Sequence, residues 1–270
     1  MVYLKSEPEI HGIRESARLV SRTLAEVAKS VRPGVRTGDL DRIAEDFIRK
    51  HDGVPAFKGY GPSRNPFPAT LCVSVNDTVV HGIPGAYELE DGDIVSIDCG
   101  VNLRGYFGDA AYTFAVGGVD EATKRFLTTT CESLYKGIAA AVHGNSVGDI
   151  GQAVQEHCEA SGFGVVRDLT GHGVGRNLHE EPSVPNFGKS GSGARLRAGM
   201  TLAIEPMVTM GSWKVSFMND GWTVKTSDGS MAAHYEHDIL VRDGAAEILS
   251  TFEYIEEITK TPIDLVGAHG

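Results

Sequence analysis

Apolar residues recur at helical spacing in two stretches near the start of the chain. Ser6-Glu7-Pro8-Glu9 combines a capping serine, a proline suited to a first turn and a glutamate that completes a capping box. The apolar side chains from Ile13 to Val27 predict a helix that continues to about Val31. Thr37 is expected to cap a second helix, whose apolar stripe is Leu40, Ile43, Ala44, Phe47 and Ile48.

The pattern then changes to short apolar strands, after a loop rich in glycine and proline at residues 57–68. One strand is predicted over residues 71–80 and a two-stranded hairpin over residues 94–116. Two further helices are predicted from Glu121 to Val142 and from Val147 to Ser161. Helices and strands in this order predict an α+β fold. The last predicted strands cover residues 201–208, 221–225 and 233–241.

The two parts of the chain resemble each other. The segment from Gly34 to Leu40 is similar to the segment from Gly144 to Ile150, which lies 110 residues later. Residues 89–98 and 196–205 form a second similar pair, offset by 107 residues. Two similarities at nearly one offset indicate an internal duplication. We therefore expect a single domain over residues 1–270, with related halves at about 6–117 and 118–252.

Composition limits the class of protein. The chain has 270 residues, of which 41% are hydrophobic, and it has no apolar run long enough to span a membrane. The net charge of −11 disfavours a DNA-binding protein. The N-terminus lacks the pattern of a signal peptide, and the four cysteines form no CxxC motif. We therefore expect a cytoplasmic protein without a membrane segment.

The duplicated segments carry carboxylates in matching positions. Each reads as a turn with glycine, followed by an apolar strand that ends in Asp98 or in Glu205. A second carboxylate follows each of them, namely Asp109 and Glu236. Four acids from two halves, together with His172, form the kind of ligand set that a two-metal hydrolase needs.

The predicted hairpin should bring the first two acids together. If its turn is centred between Leu103 and Arg104, Asp98 and Asp109 lie directly opposite each other, with Cβ atoms roughly 4.5–5.5 Å apart. Such close carboxylates repel each other unless a cation lies between them. A lone pair would more simply be two solvated acids, but the second pair in the other half weakens that alternative.

Glycines surround His172 in the run Gly171-His172-Gly173-Val174-Gly175, so the backbone can approach a site closely there. An ordinary turn histidine fits this fragment equally well. His179 is followed by two glutamates, but no histidine stands at position 183, which excludes an HExxH zinc helix.

Three other histidines lie near predicted strands. His81 follows an apolar strand, where a substrate contact and a structural role are both possible. His234 and His237 flank Glu236, and both are expected to face away from the side that Glu236 faces.

The chain resembles the type I methionine aminopeptidases of the bacterial sort, which have the pita-bread metallopeptidase fold. The resemblance extends from Ser6 to Phe252 and rests on eight motifs in a specific order. These are Val75–Pro84 (VNDTVVHGIP), Gly92–Asp98 (GDIVSID), Gly108-Asp109, Gly171–Arg176 (GHGVGR), His179–Pro182 (HEEP), Ile204–Met207 (IEPM), Asp220–Val224 (DGWTV) and Tyr235-Glu236-His237.

The resemblance implies the fold and the metal site. The fold would have pseudo-twofold halves with helices packed outside a curved antiparallel sheet. Asp98 would chelate one of two divalent ions, Asp109 and Glu236 would bridge both, and His172 and Glu205 would complete the second. The oxygen-rich ligand set leaves the metal open among Co, Mn, Fe and Zn.

The resemblance also implies the reaction. The enzyme would remove the N-terminal methionine of peptides and nascent proteins when the second residue is small, by attack of metal-activated water. His81 and His179 would contact the substrate near the scissile bond, and Glu205 would move the proton to the leaving nitrogen. A monomer with a transient ribosome contact is expected. Tyr60, Phe67, Cys72 and Trp222 would lie near the methionine pocket, although the loop from Tyr60 to Phe67 is about four residues longer than is common in the family.

Three alternatives remain within this fold. A peptidase acting at Xaa-Pro bonds usually carries a large additional N-terminal domain. A non-catalytic binding module of this fold would have lost metal ligands, and a creatine-type hydrolase would work through histidine without metals. The presence of all five ligand residues argues against the last two.

Overall fold

The computed structural model describes residues 2–259; Met1 and residues 260–270 of the predicted domain lie outside the described part. Within it, two helices precede the first group of strands and two more precede the second. The helices are α1 (Glu7–Ala28), α2 (Thr37–Lys50), α3 (Glu121–Ala140), α4 (Val147–Ala160) and α5 (Glu253–Thr259).

The strands are short except for one hairpin. They are β1 (Val54–Pro55), β2 (Leu71–Val75), β3 (Thr78–Val80), β4 (Ile94–Leu103), β5 (Tyr106–Ala115), β6 (Gly164–Val165), β7 (Thr170–Gly173), β8 (Glu180–Pro185), β9 (Thr201–Ile204), β10 (Met207–Thr209), β11 (Val215–Phe217), β12 (Val224–Thr226), β13 (Ala232–His234), β14 (His237–Leu240) and β15 (Glu247–Ile248). All pairings among these strands are antiparallel. The predicted α+β class is confirmed.

The helix starts follow the sequence signals closely. The capping box at α1 is present, because the Ser6 hydroxyl donates to a Glu9 carboxylate oxygen at 2.7 Å and the Ser6 amide donates to the same oxygen at 3.0 Å. The predicted cap of α2 is wrong by one residue: Arg36 is the cap, and Thr37 is the first helical residue. The Thr37 hydroxyl instead accepts a hydrogen bond from the Gly85 amide at 2.9 Å. None of the helices within residues 2–259 is long and apolar enough to cross a membrane.

Helix α1 packs directly on the long hairpin of β4 and β5. The Ser16 hydroxyl donates to the carbonyl oxygen of Val101 in β4 at 2.8 Å. Gly108 in β5 lies so close to the helix that a Cβ atom there would be 2.4 Å from the backbone nitrogen of Ala17. Glycine is therefore the residue that allows this contact, one position before Asp109.

Three strands predicted as continuous are broken in the structure. The first breaks at Asn76, which has a positive φ of 51° and begins the turn between β2 and β3. The others break at Glu205-Pro206 and at Tyr235-Glu236. Because β9 pairs with β14 and β10 pairs with β13 in the same register, Glu205 and Glu236 face each other across these breaks.

The two groups of strands meet along a seam beside β5. The Glu236 amide donates to the carbonyl oxygen of Ala111 at 2.9 Å. The Asp109 amide donates to a carboxylate oxygen of Asp238 at 2.7 Å. The Thr113 hydroxyl donates to the carbonyl oxygen of His234 at 2.8 Å and accepts from the His234 amide at 3.0 Å. Hydrogen bonds to β5 thus hold the segment around Glu236 in place.

Replacing Gly108 with alanine should separate α1 from β5. Overpacking of this kind costs about 1–3 kcal/mol of unfolding free energy, because backbone atoms cannot turn aside as a side chain can. We expect Gly108→Ala to unfold at a lower urea concentration than wild type, followed by circular dichroism. Gly118→Ala is the matched control, since nothing lies within 4 Å of its added Cβ. Equal urea midpoints for the two variants would contradict this account of the packing.

Candidate active site

A cavity of about 420 Å³ lies between the two groups of strands. One side is lined mainly by aromatic and apolar side chains, and the floor is lined by acids and histidines. The predicted site residues that line it are Tyr60, Phe67, Cys72, His81, Asp98, Asp109, His172, His179, Glu205, Trp222 and Glu236. All eleven residues named from the sequence therefore lie around one cavity.

The first pair of acids lies on one face of the β4–β5 hairpin, although not directly opposite as predicted. The turn is centred on Arg104-Gly105, both with positive φ, so Asp109 pairs with Gly100 and Asp98 pairs with Ala111. The register is shifted by two residues from the prediction, which preserves the face because side chains alternate with period two. Cys72 in β2 lies directly opposite Asp98 and faces the same side.

His172 reaches the cavity from β7 because glycines flank it. A Cβ atom at Gly171 would be 2.4 Å from the carbonyl oxygen of Ala203, and one at Gly173 would be 2.5 Å from that of Glu181. The His172 Nδ1 lies 2.9 Å from the carbonyl oxygen of Gly173. A carbonyl only accepts, so Nδ1 carries the proton and Nε2 presents its lone pair to the cavity.

The floor of the cavity fits a divalent cation. Ligand atoms of Asp109, His172 and Glu236 lie within 4.8 Å of one another, and all three residues are buried. The His172 Nε2 is 3.5 Å from a Glu205 carboxylate oxygen and 4.0 Å from an Asp109 carboxylate oxygen. Within residues 2–259, one buried oxygen each of Asp98, Asp109 and Glu236 has no hydrogen-bond partner. Unpartnered oxygens and an imidazole lone pair that converge on one space are the donor set of a metal site.

Electrostatics favours the same interpretation. Burial raises the pKa of Asp98 to about 7, while hydrogen bonds with Asp109 and Cys72 act in the opposite direction. Burial and the neighbouring acids raise the pKa values of Asp109, Glu205 and Glu236 well above the ordinary range. These shifts reflect the cost of placing several negative charges in one buried space, a cost that a divalent ion offsets.

The histidine is in the form that binds metal. Burial lowers the pKa of His172 to about 3, and the nearby His179 adds to the effect. A neutral imidazole is therefore present at physiological pH, as metal coordination requires.

Two further histidines stand above this floor. The His179 Nδ1 lies 2.7 Å from the Tyr60 hydroxyl, and the rings of His179 and His172 have centroids 4.2 Å apart. His81 follows β3 with a positive φ of 58°, an uncommon conformation for a residue other than glycine. Burial, and then His179, lowers the pKa of His81 to about 4. Both are thus uncharged groups at the mouth of the acidic floor.

The apolar wall is an aromatic cluster. Phe57, Phe67, Cys72 and Leu178 are buried together, with Trp222 packed against them. The rings of Phe67 and Trp222 meet edge to face, with centroids 5.2 Å apart. Two hydrogen bonds join the loop from Tyr60 to Phe67 to the segment around Trp222. Trp222 Nε1 donates to the carbonyl oxygen of Asn65 at 3.1 Å, and the side-chain amide of Asn65 donates to the carbonyl oxygen of Asp220 at 2.9 Å.

Sequence reasoning missed some residues of the cavity and placed one wrongly. Phe57, Val80, Asp168, Leu169, Thr170 and Met207 also line it, and their positions in loops and short strands give little sequence signal of this. His234 was expected to face away from Glu236, but its Nε2 lies 3.9 Å from a Glu236 carboxylate oxygen. Residues two apart in an extended segment share a face, so alternation, applied correctly, places His234 beside Glu236 and His237 on the other side.

Comparisons with known proteins agree with this geometry. The model of metallopeptidase family M24 matches residues 11–243. A methionine aminopeptidase of Clostridium perfringens is 52% identical over 251 residues, which cover 93% of this chain and 99% of that protein.

Solved structures give the same relationship. A methionine aminopeptidase from Thermotoga maritima is 44% identical, with a TM-score of 0.90, over 93% of this chain and 100% of that one. A prolidase from Pyrococcus horikoshii, 21% identical with a TM-score of 0.75, shares the fold; the match covers 93% of this chain and 64% of the prolidase. The predicted pita-bread fold is thus confirmed, and the chain belongs to metallopeptidase family M24 and, within it, to the methionine aminopeptidases.

Proposed function

We propose that this protein removes the N-terminal methionine from peptides and nascent proteins whose second residue is small. The observation that carries the proposal is one cavity that joins an aromatic wall to a floor of four carboxylates and a neutral histidine. An unbranched thioether packs well against aromatic rings. The acids below would attract the free amino group of a peptide, so the cavity suits a methionine at the start of a chain.

The floor would hold two divalent ions, drawn from Co, Mn, Fe and Zn. Asp98 would bind one of them, Asp109 and Glu236 would bind both, and His172 and Glu205 would bind the other. When bound, the ions would polarise the scissile carbonyl and lower the pKa of a water molecule. The monomeric state, the cytoplasmic location and a ribosome contact stay predictions from the family resemblance.

The protein's own groups would orient the substrate and move the proton. Glu205 would accept a proton from the attacking water and deliver it to the leaving nitrogen, and His81 would donate a hydrogen bond near that nitrogen. The Tyr60 hydroxyl lies 2.7 Å from Nδ1 of His179 and would donate a hydrogen bond to it. The His179 Nε2 is therefore left to meet the carbonyl oxygen of the scissile bond, where negative charge develops.

The metal floor can be tested without an activity assay. Divalent ion at 100 times its Kd should stabilise chelator-treated protein by about 2.7 kcal/mol, or roughly 5–10 °C in Tm, since only the folded state brings the ligands together. Asp98→Asn and Glu236→Gln should lose most of this shift in differential scanning calorimetry. The exposed acid Glu88 supplies the control, Glu88→Gln, which should respond as wild type does. A full shift in Glu236→Gln would contradict the assignment.

His179 should act on the reaction and not on the metal. His179→Ala should lower kcat on the order of 10²–10³-fold, as loss of an oxyanion donor does, with little change in metal affinity. Tyr60→Phe should lower kcat by about 10-fold or less, because it removes one hydrogen bond to the ring. Steady-state kinetics at saturating metal, together with calorimetric metal titration, separates the two effects. Metal loss with kcat preserved would mean that His179 is a ligand.

Cleavage of short peptides tests the proposed function directly. The scissile amide must lie roughly 3–3.5 Å from the attacking oxygen, and a displacement of 1 Å can cost on the order of 10²-fold in rate. His81 and His179 would crowd a long second side chain and displace the amide. We expect Met-Ala-Ser to be cut in a metal-dependent way, while Met-Lys-Ser is cut at least about 100-fold more slowly. Similar kcat/KM values would indicate a broad aminopeptidase, and cleavage of Ala-Pro peptides alone would indicate an Xaa-Pro peptidase.

A further inference from the structure

His234 is a buried histidine that the proposed reaction leaves without a role. It is 2% exposed, and within residues 2–259 its Nε2 has no hydrogen-bond partner. The same atom lies 3.7 Å from the Oε2 of Glu205 and 3.9 Å from the Oε2 of Glu236. A buried polar atom without a partner is costly, and the nearby acceptors here are the carboxylates of the cavity floor.

The backbone of His234 is held in place. Its amide and its carbonyl oxygen both bond to the Thr113 hydroxyl, at 3.0 and 2.8 Å. The Ser96 hydroxyl in β4 lies 2.8 Å from the same Thr113 oxygen, so Thr113 also links the His234 backbone to β4. His234 therefore stays on the face that carries Glu236, opposite Met207 in β10.

The two oxygens of Glu205 have different neighbours. Oε1 lies 3.5 Å from the Nε2 of His172, and Oε2 lies 3.7 Å from the Nε2 of His234. His172 carries its proton on Nδ1, which donates to the Gly173 carbonyl, so its Nε2 has no proton to give to Glu205. A lone pair facing a carboxylate oxygen suits a cation between them. On the other side, His234 is placed to supply a donor.

We propose that His234 is a positioning residue whose Nε2–H group donates to the Oε2 of Glu205. This would leave the Oε1 of Glu205 directed to the ion and to the water proton. A movement of less than about 1 Å would bring the 3.7 Å separation into hydrogen-bonding range. The two histidines then have different roles towards Glu205. His172 would bind the same ion as Glu205, and His234 would fix the orientation of the Glu205 carboxylate. This inference rests on the metal site proposed above.

Three substitutions test the role. His234→Leu removes the donor, His234→Asn keeps a polar group that is too short to reach, and His234→Gln restores a donor of similar reach. Loss of such an outer contact typically weakens metal binding about 10–100-fold. We expect that loss in the leucine and asparagine variants by calorimetric titration with Mn²⁺, with kcat falling more than KM rises. His234→Gln should recover most of both.

His237→Gln is the matched control for disturbing a buried histidine on the same segment. His237 Nδ1 lies 2.7 Å from the Ser250 hydroxyl, on the side away from the cavity. This variant should change Tm but not the affinity for Mn²⁺. If His234→Leu does not fold, His234→Asn is compared with His234→Gln instead, because the two side chains differ by only one methylene group.

Pulsed EPR of the Mn²⁺-loaded protein, with ¹⁵N-labelled histidine, separates positioning from ligation. We expect a single coordinated histidine nitrogen, from His172, in wild type and in His234→Asn alike. Two coordinated nitrogens in wild type, with one lost in His234→Asn, would make His234 a ligand and overturn the proposal. Unchanged Mn²⁺ affinity in all three variants would also overturn it. If the wild-type protein binds none of Mn²⁺, Co²⁺, Fe²⁺ and Zn²⁺, the result would contradict the proposed metal site itself.

Discussion

Repulsion among four carboxylates is the constraint on which the rest of the structure depends. Asp98, Asp109, Glu205 and Glu236 line one cavity, and the pKa of each is raised by burial. Backbone hydrogen bonds can hold such a cluster together, and cations or bound protons can neutralise it. The seam along β5 supplies the first, because the amides of Asp109 and Glu236 both donate across it. The donor set suits the second.

The cavity at this seam is built from both parts of the chain. The loop before β2 brings Phe57, Tyr60 and Phe67, and the hairpin brings Asp98 and Asp109. The segments after α4 bring His172, Glu205, Trp222 and Glu236. Residues from both parts interlock at the mouth, where Trp222 donates to the backbone of Asn65. A substrate would therefore lie between two parts of the chain, and neither part alone provides the whole aromatic wall or all four acids.

Alternation of side chains made much of the site predictable. Asp98 and Asp109 share a face whether the hairpin turn lies at the expected position or one residue later, because the register moves by two. The strand break at Glu205-Pro206 had a sequence signal that the prediction overlooked, because proline cannot donate a hydrogen bond within a sheet. The turn at Asn76 was likewise missed although Asn76 and Asp77 are turn-favouring residues. The break at Tyr235-Glu236 carries no glycine or proline to mark it. The contacts of Tyr60 and His234 depend on which loops and strands meet in space, which one-dimensional patterns do not specify.

The position of Glu236 along the chain also has a consequence for biosynthesis. The acids of the hairpin precede Glu236 by more than 120 residues along the chain, and Glu236 is held beside them by the pairing of β13 with β10 and by its bond to Ala111. The segment that completes the cluster is thus among the last parts of the domain to be made. A cluster completed by so distant a segment would hold divalent ions only once the chain up to Glu236 has been made and folded, which would couple maturation of the enzyme to the ions available at that stage.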